Sequence, residues 1–173
     1  MMMFRKLLRY VFAYDASKQI FNALLPRFVR RKIVSGLDLD TGPFNRSFDD
    51  VELIPIQPDA YLAVYFKRNS TGVGPGVSLY VLENEILRFD CLDKGNGHYH
   101  SMPCLAAVPG SERSDFAAND REAMVNQTID EITRNYAAHL AKHFRRRIRE
   151  FRFDQARLDA AVAEARDKML TAH

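Results

Sequence analysis

The 173-residue chain holds two cysteines, Cys91 and Cys104, and no Cys-x-x-Cys pair. It cannot supply the disulfide framework that holds small secreted domains together, so both thiols read as small buried apolar side chains in a reduced compartment. Also missing is any run of about 18 apolar residues able to cross a bilayer. Arg5, Lys6 and Arg9 interrupt the first apolar stretch, from Met1 to Phe12, which therefore lacks the continuous block of a secretory signal. These absences together predict a cytoplasmic protein with no membrane span. Internal repeats and low-complexity segments are absent too. What remains is ordinary globular composition, 47% hydrophobic and 27% charged, on a length that suits one core.

Charge is unevenly placed, although the formal net value is only +3. Residues 1–34 carry Arg5, Lys6, Arg9, Lys18, Arg27, Arg30, Arg31 and Lys32 against a single acid, Asp15. Leu7, Leu8, Val11 and Phe12, then Ile20, Phe21, Leu24, Leu25 and Phe28, recur at helical spacing, with Pro26 as a break. The reading is a basic amphipathic helical arm. It suits nucleic acid, an acidic partner or peripheral contact with an anionic membrane, and it suits equally a helix that packs on the domain with its cations in water. Residues 35–58, with Gly36, Gly42, Pro43, Asp49 and Asp50, read as a connecting segment holding at most one short strand near Val51 to Ile56.

The core is expected over residues 59–173. Tyr61 to Lys67 is aromatic and β-branched and predicts a strand closed by Asn69-Ser70-Thr71-Gly72. Val77 to Leu82 predicts a second strand, and Ile86 to Cys91 a returning third. Lys94-Gly95-Asn96-Gly97 makes a good turn because glycine and asparagine tolerate positive φ. Beyond a loop with Pro103 and Pro109, Asn119 and Glu122 form a capping-box pattern. Val125, Ile129, Ile132, Tyr136, Leu140, Phe144, Ile148 and Phe151 then predict one long helix, possible bends included. Asp154 is positioned to cap a last helix whose stripe is Leu158, Ala161, Val162, Ala165 and Met169. Segregated strands and helices imply an α+β fold: an antiparallel sheet of three to four strands flanked by N-terminal and C-terminal helices.

One stretch reads as a chemical site, the hairpin from Arg88 to His100. Residues two apart on a strand share a face, so His98 joins His100 and Arg88 joins Asp90. Two imidazoles that exchange protons near neutrality, Asp90 to orient one of them, and Arg88 or Lys94 to hold a phosphate suffice for cleavage of RNA by its own 2′-hydroxyl. No cofactor is needed for that. The alternatives are a metal ion held by Asp90, His98 and His100, and a plain hairpin whose histidines bond to backbone or to Asp90. A second cationic group, Lys142, Arg145, Arg146, Arg149 and Arg152, suits a polyanion beside Arg27, Arg30 and Arg31, or else a solvated helix end.

Phe89-Asp90, then Lys94-Gly95, Gly97, His98 and His100, followed by a helix near Asn119, resemble the TumE family of bacterial toxin–antitoxin proteins. The likeness covers about the central half of the chain. It implies a small cytoplasmic toxin that acts on RNA and is neutralised by a DNA-binding antitoxin partner. The basic arm before the sheet and the helix after Asp154 are additions to that pattern. The other reading is a non-enzymatic subunit of an oligomer that binds nucleic acid or protein through its basic helices.

Overall fold

The computed structural model describes residues 49–70, 72–82, 84–101, 112–143 and 145–172. Six strands run β1 Asp49–Gln57, β2 Ala60–Asn69, β3 Gly72–Val81, β4 Asn84–Asp90, β5 His98–Ser101 and β6 Glu112–Asp115. They form one sheet in chain order, each antiparallel to the next. Three helices follow, α1 Arg121–Lys142, α2 Arg146–Arg149 and α3 Gln155–Thr171.

The antiparallel α+β architecture is as expected, but the sheet has six strands and not three to four. One strand ahead of the expected core, β1, falls where the sequence allows a short strand near Val51 to Ile56, and it pairs fully into the sheet, which therefore begins ahead of residue 59. The other, β6, has the sequence Glu-Arg-Ser-Asp, with no apolar residue to betray it. It exists because β5 offers it a free edge, and its charges blunt the new edge against further pairing. The arm at 1–34 and Cys104 lie outside the described residues.

Strand alternation divides the sheet into two unlike faces. Leu62, Val64, Val77, Leu79, Leu87 and Phe89 share one face and are buried. Against it pack α1, through Met124, Val125, Ile132 and Leu140, and α3, through Leu158, Ala161, Val162, Ala165 and Met169. The last stripe is the one the sequence spacing predicts. Gln57 ties the layers at one corner: its amide donates to the Arg152 carbonyl at 3.0 Å and its oxygen accepts from the Asp154 N–H at 2.8 Å.

Two helix boundaries differ from the sequence reading. Asp120, not Asn119, is the N-cap of α1, accepting from the Ala123 N–H at 2.9 Å. The expected long helix stops at Lys142, because His143 turns extended and its Nδ1 accepts the Arg145 N–H at 3.0 Å. The apolar spacing continues through Ile148 because the short α2 still faces the core. Asp154 caps α3 as expected, from 3.2 Å to the Arg157 N–H. No helix among the described residues is long and apolar enough to cross a membrane.

Candidate functional site on the second face of the sheet

The face turned away from the helices carries the polar side chains. The β4–β5 register sets Asp90 opposite His98 and Arg88 opposite His100, so all four project to this side. The turn between the strands uses Lys94 at φ 57° and Gly95 at φ 72°, the left-handed geometry that glycine tolerates best. His98 Nδ1 lies 2.8 Å from the Asn96 carbonyl, which can only accept, so that ring nitrogen carries the hydrogen. The other nitrogen, Nε2, faces Asp90 Oδ2 at 3.6 Å. The two imidazoles stand edge to face with centroids 4.9 Å apart. One ligand atom from each of Asp90, His98 and His100 falls within 4.8 Å of the others.

Two further residues reach this cluster from β2, across β3. Tyr65 donates its hydroxyl to Asp90 Oδ1 at 2.9 Å, and Lys67 Nζ sits 2.9 Å from Oδ2. They cross because their β3 partners are Gly76 and Gly74. A Cβ on Gly76 would collide with the Tyr65 ring, so the missing side chain is what lets the phenol lie over the strand. Asp90 is 1% exposed, whereas the Lys67 and His98 side chains are 21% and 13% exposed, so the carboxylate is sealed and its partners are reachable.

Arg88 lies beside His100 with Nη1 4.0 Å from Glu85 Oε2. The second oxygen of Glu85 accepts from the Ser78 hydroxyl at 2.7 Å. The Arg88 Nε is buried and has no hydrogen-bond partner among the described residues. A buried donor without an acceptor carries a desolvation cost that an anion at this position would relieve.

The expected set thus divides. Arg88, Asp90, His98 and His100 come together, while Lys94 is exposed in the turn and Lys67 is the ammonium on Asp90. Neither Lys67 nor Tyr65 was singled out from the sequence. The available signal was Gly74-Pro75-Gly76, glycines inside a strand, which mark close approach across it.

The second cationic group is mostly engaged within the chain. Lys142 pairs with Glu112 at 3.1 Å and Arg146 with Glu150 at 2.7 Å. Arg149 donates to the His143 carbonyl at 2.9 Å, and Arg152 to the carbonyls of Arg149 and Phe151 at 3.0 and 2.8 Å. Arg145, Arg146 and Arg147 also line a cavity of about 500 Å³ with Asp59, Leu82 and Ile148. Burial, helped by the Arg145 and Arg149 charges, holds the His143 imidazole down at about 4. Arg27, Arg30 and Arg31 lie outside the described residues.

On the helix side lies a chain of three groups that no local pattern announces. Ser101 Oγ is 2.9 Å from His139 Nδ1, and His139 Nε2 is 2.6 Å from Glu131 Oε1. Ser101 is 2% exposed, so this chain fastens the short strand β5 to α1. Cys91 is buried against Thr128, and burial pushes its thiol up to about 12, in keeping with the apolar role expected for it.

Fold and site define an antiparallel α+β protein with an imidazole–carboxylate centre, beside Lys67 and Arg88, on the sheet face opposite the described helices. Set against known proteins, the chain matches no family model, no curated protein and no solved structure.

Proposed function

We propose that the protein acts on RNA, as a TumE-like toxin or defence effector, at the centre formed by Lys67, Arg88, Asp90, His98 and His100. One observation supports the reading: Arg88 Nε, buried and without a hydrogen-bond partner among the described residues, sits beside two imidazoles gathered around a sealed carboxylate. Arg88 and Lys67 supply positive charge to phosphate oxygens as negative charge builds on them. The imidazole–carboxylate group activates the attacking oxygen. The 2′-hydroxyl loses its proton, its oxygen bonds to phosphorus, and the bond to the 5′ oxygen breaks as that oxygen takes up a proton. The products are a 2′,3′-cyclic phosphate and a 5′-hydroxyl.

Expression in a bacterial host is the first test. Growth inhibition and RNA cleavage are expected for the native chain, and both are lost when His98 and His100 become alanine. Retained toxicity in a folded double variant removes the centre from the activity. Co-expression of the antitoxin partner is expected to restore growth.

The arginine-lined cavity favours a second reading, a subunit that holds a polyanion without cutting it. Charge reversal at Arg145 and Arg147 then abolishes binding and flattens its salt dependence, while the histidine pair is dispensable. Salt-insensitive binding ends that reading.

A further inference from the structure

The backbone fixes the aim of the His98 ring. Its Nδ1 hydrogen is committed to the Asn96 carbonyl, so in the neutral ring Nε2 presents a lone pair. Facing it at 3.6 Å is an oxygen of the buried Asp90 carboxylate, a second acceptor. A proton on Nε2 or a metal ion between the two would each satisfy them, beside the Lys67 ammonium that already contacts this oxygen. A separation of 3.6 Å is long for a charge-assisted hydrogen bond. It is near the edge of a tetrahedron built on zinc-type bonds of about 2.0–2.2 Å, an edge of about 3.4 Å.

We propose that Asp90, His98 and His100 bind one divalent transition-metal ion of the zinc class, with the fourth position left open. The donor set of two imidazole nitrogens and one carboxylate oxygen suits such an ion and disfavours magnesium or calcium, which take oxygen ligands. The surroundings are those of a built site. The Asn96 carbonyl fixes the tautomer and aim of His98, and the Tyr65 hydroxyl fixes the carboxylate from its other oxygen. Lys67, on the oxygen that faces His98, competes for that oxygen and moves away when the ion binds.

The use of the ion rests on the phosphodiester reading above, whereas its binding does not. An open position holds water, whose proton the ion labilises. Held by Asp90, His98 and His100, such an ion would supply a water of lowered pKa near the phosphodiester, able to take the 2′-hydroxyl proton and return one to the departing 5′ oxygen.

The test uses the full chain, stripped with a chelator and titrated with Co2+, whose visible absorption reports coordination; circular dichroism checks the fold of each variant. A saturable, intense band of a four-coordinate site is expected, displaced by Zn2+ and lost in His98→Ala and in His100→Ala. Where an alanine variant does not fold, the corresponding glutamine variant takes its place. Lys67→Met is expected to bind Co2+ about tenfold more tightly, because the competing charge is gone. That gain separates the site from adventitious surface histidines. No saturable band, or a band that survives both histidine substitutions, overturns the proposal. RNA cleavage at full rate in chelator, without Co2+ binding, overturns the ion and leaves the RNA reading standing. Saturable binding by a chain that cleaves no RNA upholds the ion and overturns the RNA reading.

Discussion

Gly76 places Tyr65, and Tyr65 holds one oxygen of Asp90, so a residue without a side chain governs the geometry of the centre. Gly76→Ala forces the phenol off the strand. A loss of about 1–3 kcal/mol in denaturant unfolding is expected from the overpacking. Tyr65→Phe removes only the hydroxyl and leaves a buried carboxylate oxygen short of a donor, at a cost of about 1–3 kcal/mol. If both variants unfold like the native chain, Tyr65 does not support Asp90. The imidazoles were legible in the sequence because their two-residue spacing and the glycine turn are local facts. Lys67 was not: it meets Asp90 across 23 positions and an intervening strand, and no local pattern encodes that crossing.

At the scale of elements, the break between α1 and α2 is sensitive to acid. The buried His143 ring, whose Nδ1 accepts the Arg145 N–H, is neutral at pH 7, and its folded value of about 4 lies below the ordinary 6.5. Because the unfolded chain takes up this proton first, the contribution of neutral His143 is complete above about pH 6.5 and is lost as pH falls toward 4. The melting temperature is expected to drop through that window. His143→Asn, although less stable at pH 7, should show a shallower drop across it, and an unchanged slope rules the residue out. The same residue explains why the helix ends early. Its apolar spacing was read through to Phe151, but periodicity records which residues face the core and not whether the backbone stays helical between them. For α3 the two agree, since Asp154 caps the start and an uninterrupted stripe follows.

Across the whole molecule, one layer of helices covers one sheet face, and the core lies between them. Leu158 is fully buried there, and Leu158→Ala is expected to cost about 2–5 kcal/mol in unfolding. Cys91 lies in the same layer, 1% exposed, so it should react with a thiol reagent only at the rate of global unfolding. Faster labelling means that the sheet and α1 separate on their own. From its sequence alone the chain settles that the strands of the core precede its C-terminal helices, that α3 has one apolar face, and that His98 and His100 share a side. Those outcomes follow from spacing along a few residues, where backbone geometry leaves no choice. Tertiary structure alone decides the number of strands, the passage of Tyr65 and Lys67 over two glycines to Asp90, and the Ser101–His139–Glu131 chain. Each depends on pairing between segments far apart, where an edge such as β5 can recruit a polar strand that has no pattern of its own.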